Sequence, residues 1–274
     1  LSKEEYEKFM QRVFAEASDN PNAFNNWYYQ LSGYLPSPRS IFIPLPYDWF
    51  CWVSSDDYAP EMIVKFGAWL RPYVWEAVTS LGCSYPLFLK SSLTSHKFWF
   101  GKTKITEDMT DHDLGDSALS MIYHALCADQ FINGVVLRQY IDPDCSLPTI
   151  YHGMPLRAEY RVFYDFDAKK VLAVVPYWER ETMVNALSYL PEDLAVFQSQ
   201  ANRLECEFTQ GRDSVVRLVE DSLRDFPGRP GGKYGAAKWS LDFMADEHGT
   251  IWFIDAAIAS MSAYNEVLKG AGLC

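Results

Sequence analysis

The sequence predicts a mixed α+β fold whose N-terminal portion is mostly helical. Three observations predict it. Apolar residues at helical spacing dominate up to about residue 83. From residue 84 short alternating runs bounded by turn residues take over. Helical stretches are interleaved among those strands. The length of 274 residues admits one large domain or two modest ones.

The elements follow in order. Ser2-Lys3-Glu4-Glu5 is a capping box, and Tyr6, Phe9, Met10, Val13 and Phe14 continue it as a helix that stops near Asp19-Asn20-Pro21. Ile41-Phe42-Ile43-Pro44-Leu45-Pro46 reads as an extended edge segment, because alternate prolines remove ladder donors. A helix fits Pro60 to Leu81, with Gly82 at its end and Pro72 predicting a kink or break. Pro86–Lys90 is a buried strand, Leu114–Gln130 a helix and Val135–Ile141 a further strand. Arg157–Tyr164 and Val171–Trp178 form a hairpin around Asp165-Phe166-Asp167. Two helical stretches, Pro191–Cys206 and Asp213–Arg224, precede a loop at Pro227–Gly232. Lys238–Met244 and Thr250–Asp255 close the pattern as a second hairpin.

Composition excludes several classes. Hydrophobic residues make up 49% and charged residues 22%, which is globular rather than disordered. A net charge of −12 repels phosphate backbones and anionic lipid, so a nucleic-acid coat or membrane-surface protein is disfavoured. Aromatics at 16%, nine Trp among them, favour a large core with some exposed rings. The first residue is Leu1, and neither a signal-peptide pattern nor a long apolar run is present. The scattered cysteines Cys51, Cys83, Cys127, Cys145, Cys206 and Cys274 read as mostly buried thiols in a reducing, cytoplasmic compartment.

Four constellations carry chemistry. Asp242 and Asp255 each interrupt an otherwise apolar strand of the last hairpin. With an even connecting loop, Asp242 lies opposite Phe253 and Asp255 sits one diagonal step away, ~7 Å, close enough to share a metal ion and phosphate. The competing reading pairs Asp242 with Lys238 or an arginine, and Asp255 merely ends the strand. Lys90 ends a buried strand and runs into the hydroxyl-rich Ser91-Ser92-Leu93-Thr94-Ser95-His96-Lys97, a composition able to wrap an anion or simply to make a solvated turn. Arg138, Gln139 and Tyr140 end a strand that could meet a flat heterocycle or be an ordinary edge. Arg157, Glu159 and Arg161 alternate onto one face, as an ion-pair ladder or a phosphate clamp. The five histidines show no paired metal spacing, and Walker, GxSxG, protein-kinase, GxGxxG and KxDG motifs are absent.

In that order, Phe88-Leu89-Lys90, Val136–Tyr140, Arg157–Phe163, Leu241-Asp242-Phe243 and Trp252–Asp255 resemble the ATP-grasp superfamily. The likeness is to the branch of the eukaryotic cell-division-cycle assembly factor for translation initiation factor two. It covers about residues 84–262. The resemblance implies two α+β lobes sandwiching ATP, at about 84–155 and 156–274, behind an N-terminal portion, 1–83, for substrate or partner recognition. It implies Lys90 on the α/β-phosphates and Arg138, Gln139 and Tyr140 at adenine. It implies Arg157, Glu159 and Arg161 along the nucleotide, with Arg161 toward the transferred phosphoryl group. Asp242 and Asp255 are implied as Mg²⁺ ligands. The implied activity is an ATP-dependent ligase that activates a small-molecule or protein carboxylate for attack by an amine or other nucleophile. The alternative is an ATP-binding assembly factor for a protein partner. One departure stands out: the family's asparagine two residues after the second acid is Ala257 here, with Ser260, Ser262 or Asn265 as substitutes.

Overall fold

The computed structural model describes residues 2–55, 58–141, 146–232 and 235–270. The chain divides into two compact units, Leu1–Asn25 with Pro38–Tyr140, and Asn26–Ser37 with Ile141–Cys274. The division expected at residue 83 therefore falls inside the first unit. The reason is strand pairing: β1 (Ser40–Pro44) hydrogen-bonds β4 (Gly134–Gln139), so the helical N-terminal portion shares a sheet with later residues.

In the first unit α1 (Lys3–Asp19) starts on the expected capping box. The Glu5 N–H donates to Ser2 Oγ at 3.2 Å and the Ser2 N–H to Glu5 Oε2 at 2.7 Å. The antiparallel sheet runs β1-β4-β2-β3, with β2 Leu87–Ser91 and β3 Lys104–Ile105. As the prolines require, β1 is an edge. Alternation sends Ile43, Leu87, Leu89, Val135 and Leu137 into one core with α4 (Pro60–Thr79) and α5 (Asp111–Cys127). Two glycines let those helices touch backbone to backbone. A Cβ on Gly67 would lie 1.7 Å from the Asp111 carbonyl oxygen, and one on Gly115 2.1 Å from that of Ile63. Pro72 does not break α4; the helix runs through it and leaves the Ala68 carbonyl without that N–H partner. The punctuated stretch after α1 holds α2 (Phe24–Leu31), whose residues from Asn26 on belong to the second unit, and α3 (Tyr47–Val53), two helices too short to show a periodic stripe.

The second unit holds the antiparallel sheet β10-β9-β7-β8 and a small hairpin, β5 (Thr149–Ile150) with β6 (Met154–Pro155). β7 (Glu159–Asp165) and β8 (Lys170–Pro176) are the first expected hairpin. β9 (Lys238–Ala245) and β10 (Ile251–Ile258) are the second. Asp246 builds the second turn: its carboxylate accepts the His248 and Thr250 N–H groups at 2.9 and 2.8 Å and the Trp252 indole at 2.9 Å. α6 (Arg180–Ala186) has no sequence counterpart above. The two expected helices at 191–206 and 213–224 are one, α7 (Pro191–Leu223), 33 residues long.

Gly211 sits where the two were separated, and its purpose is packing. The Tyr160 ring stacks on Phe208 at 5.4 Å, and its hydroxyl donates to the Glu207 carbonyl at 3.0 Å. A Cβ on Gly211 would lie 2.0 Å from that hydroxyl oxygen.

Two of the four described cysteines differ from expectation. Cys83 is buried and Cys51 half-buried, but Cys127 and Cys206 are exposed on the outer faces of α5 and α7. Cys145 and Cys274 lie outside the described residues. No helix among those residues is long and apolar enough to cross a membrane.

Gly211→Ala gains about 1 kcal/mol of helix propensity yet destabilises the chain by about 1–3 kcal/mol net, because Tyr160 must move. Urea unfolding checks this, and in a Tyr160→Ala background the same change should instead be neutral or stabilising.

Candidate functional site

In the first unit, pairing places Lys90 opposite Val136 and Arg138 opposite both Phe88 and Ser40. Lys90 and Arg138 are thus diagonal neighbours on the sheet face turned away from α4 and α5. Both are buried, Lys90 at 1% and Arg138 at 5% exposure. Both lie over the same Phe24 ring, Lys90 Nζ at 5.7 Å and Arg138 Cζ at 5.3 Å from its centroid. Arg138 Nε also donates to Ser40 Oγ at 3.3 Å. The side chain expected beside Gln139 and Tyr140 instead joins Lys90.

Gln139 turns the other way, where Oε1 accepts from Arg39 Nε at 3.1 Å. Tyr140 lies past the strand end, its ring 5.4 Å from Lys104 Nζ. The hydroxyl-rich stretch makes a tight turn: Ser91 Oγ accepts the Leu93 and Thr94 N–H groups at 3.2 and 2.7 Å. Ser92 Oγ is buried with no hydrogen-bond partner.

In the second unit the strands bring an arginine and two acids into one row. Arg161 on β7 pairs in register with Asp242 on β9, and Asp242 with Asp255 on β10. This corrects the diagonal expectation. A bulge between Phe253 and Asp255 shifts the register by one, so Phe253 faces Phe243 and Asp255 lies directly opposite Asp242.

Arg161 grips Asp242 with two parallel bonds, Nε to Oδ1 at 2.8 Å and Nη2 to Oδ2 at 2.7 Å, and Asp242 is only 7% exposed. The arginine partner of Asp242 is therefore Arg161 rather than Lys238. Burial alone pushes the Arg161 guanidinium down, but the charge and hydrogen bonds of Asp242 outweigh it and hold the group above its ordinary range. The guanidinium also lies 4.7 Å from the Tyr177 ring, and Nη1 donates to the Ala263 carbonyl at 3.4 Å. Burial, with the nearby Asp242 and Glu159 charges, pushes the Tyr177 phenol up.

Arg157 lies before β7 begins, and its Nη1 donates to the Ala245 carbonyl at 3.0 Å. Glu159 pairs in register with Met244. Of the substitutes for the missing asparagine, Ser262 is tied to β9. Its hydroxyl bonds that of Ser240, which pairs in register with Ala257. Asn265 instead donates to the Ser260 carbonyl at 2.7 Å. Among the described residues no three His, Cys, Asp or Glu side chains cluster as a ready-made metal site.

Sequence spacing missed a histidine pair. His96, with φ 46°, lies against His124 of α5, the ring centroids 4.3 Å apart and the planes tilted by 51°. Residues 28 apart with no shared motif leave no trace in a spacing search. Burial, then the neighbouring His124, pushes the His96 imidazole down to about 4.

The comparisons with known proteins are partial. No family model matches the chain, and no curated protein does. The biotin carboxylase domain of the Hydrogenobacter thermophilus 2-oxoglutarate carboxylase, solved with MgADP and bicarbonate, overlaps at TM-score 0.40 and 11% identity. That overlap covers 86% of this chain and 39% of the other. An N5-carboxyaminoimidazole synthase from Aspergillus clavatus, solved with ADP and 5-aminoimidazole ribonucleotide, overlaps at 0.36 and 10% identity, over 90% and 45%. The D-alanyl-alanine synthetase A of Vibrio cholerae overlaps at 0.32 and 12% identity, over 86% and 55%. The chain thus spans about two fifths to just over half the length of these proteins.

Asp242→Asn leaves Arg161 buried beside a neutral amide and should cost about 3–5 kcal/mol in urea unfolding, whereas the joint replacement Arg161→Met with Asp242→Leu should recover most of that loss. His96 gives a pH signature. An ordinary histidine takes up its proton near 6.5 when unfolded, but His96 resists until about 4. Stability from this group is full above pH 6.5 and is lost as pH falls toward 4. Urea midpoints against pH should fall over that window, and less so in His96→Gln.

Proposed function

We propose that the chain is an ATP-binding protein of the ATP-grasp superfamily, acting as an ATP- and Mg²⁺-dependent ligase. The observation that supports it most is the Arg161–Asp242–Asp255 row: two carboxylates directly opposed on neighbouring strands, with a guanidinium in register beside them. That donor set fits a hard divalent cation, which takes one or two carboxylates and completes its shell with phosphate oxygens and water. Asp242 and Asp255 would hold Mg²⁺, which when bound supplies charge neutralisation at the phosphates.

The chain's own side chains do the remainder. Lys90 and Arg138 offer two buried positive charges to the phosphates, and Gln139 and Tyr140 lie at the strand end proposed to meet adenine. Arg157 precedes and Glu159 opens the strand of Arg161, whose charge suits the transferred phosphoryl group. The reaction class is formation of an acyl phosphate from a carboxylate and ATP, releasing ADP, then displacement of phosphate by an amine or other nucleophile. Residues 1–83 are proposed to select that acceptor or a protein partner. The rival reading, an ATP-binding assembly factor with little turnover, is favoured by one observation: Ala257 offers no ligand where the resembling pattern has asparagine.

Calorimetry tests the shared step. ATP with Mg²⁺ should bind at below millimolar concentration and raise the melting temperature. Lys90→Ala should weaken that binding about tenfold or more, while Asp255→Asn should remove its Mg²⁺ dependence. Normal ATP affinity in Lys90→Ala would sink the phosphate assignment. ADP release that depends on an added acid and amine separates the ligase from the assembly factor.

A further inference from the structure

We propose that His96 and His124 form a two-imidazole site for a borderline transition cation of the Zn²⁺ class, independent of the nucleotide reading. His96 is 5% exposed, and its Nδ1 is buried with no hydrogen-bond partner. A buried polar atom in that state is destabilising, so it calls for an explanation. The other ring nitrogen, Nε2, faces Ser120 Oγ at 3.4 Å. With the proton on Nε2, the serine oxygen accepts it and the Nδ1 lone pair is left bare. This is the arrangement of a metal-binding histidine, whose second nitrogen donates to a neighbouring oxygen that fixes the tautomer.

The second ring is already in place. His124 lies one helical turn beyond Ser120 on α5, and its ring centroid is 4.3 Å from that of His96. Ring nitrogens favour Zn²⁺, Cu²⁺ or Ni²⁺ over Mg²⁺, which takes oxygen. Two protein ligands leave the remaining positions to water. The exposed Cys127 follows three residues after His124, but no third ligand clusters with the rings among the described residues. A bound cation would tie the segment that follows Lys90 to α5, fixing the left-handed turn at His96.

The test uses the untagged chain, titrated calorimetrically with ZnCl₂ in excess Mg²⁺, with Cu²⁺ electron paramagnetic resonance as a second readout. One Zn²⁺ per chain and a two-nitrogen Cu²⁺ spectrum are expected. His124→Gln, at an exposed position that leaves the core intact, should abolish both signals, and Ser120→Ala should weaken Zn²⁺ about tenfold. His96→Gln should do as His124→Gln does, with circular dichroism checking its fold. Cys127→Ser should change neither signal. The proposal is overturned if the wild type takes no Zn²⁺ below millimolar concentration, if His124→Gln binds as the wild type does, or if only Cys127→Ser loses binding.

Discussion

The buried pair between Arg161 and Asp242 is the interaction on which the second unit depends. Register sets it, since the two residues face each other across β7 and β9, and its two parallel hydrogen bonds satisfy both carboxylate oxygens. A charge buried to that degree would be intolerable alone, so each residue makes the other possible. The same guanidinium reaches the Ala263 carbonyl and lies against Tyr177, whose carbonyl accepts the Tyr264 hydroxyl at 3.2 Å. One cation therefore joins the centre of the sheet to the segment that follows β10. A ligand competing for either partner disturbs more than a single contact.

The first unit solves the opposite problem. Lys90 and Arg138 are like charges on one sheet face, and their mutual repulsion is tempered by the negative face of the Phe24 ring. The opposite sheet face sends Leu87, Leu89, Val135 and Leu137 against α4 and α5, so alternation separates the two environments. Turning Leu89 and Leu137 inward necessarily turns Lys90 and Arg138 outward. The chemistry of this face is a by-product of the register that builds the core.

Much of this was legible in the sequence, and the failures have physical causes. The capping box of α1, the edge character of β1, and both hairpins of the second unit follow from local rules that tertiary packing did not override. The stretches 191–206 and 213–224 read as two helices, whereas α7 runs through Gly211, whose missing side chain makes room for Tyr160, 51 residues away. Arg138 was grouped with its neighbours Gln139 and Tyr140, although strand alternation assigns it to Lys90. The histidine pair was invisible because its members meet only through the packing of a turn against a helix. Residue types and their order were readable; partners distant in sequence were not.

The bulge in β10 divides that strand into two segments with opposite parity. Before it, Phe253 points to the side of Phe243 and Trp27, whose ring lies 5.5 Å away. After it, Asp255 points to the side of Asp242, although a regular strand would give residues 253 and 255 one direction. The irregularity works as a phase shifter. It lets an aromatic anchor and an acid stand two positions apart without either occupying the other's environment.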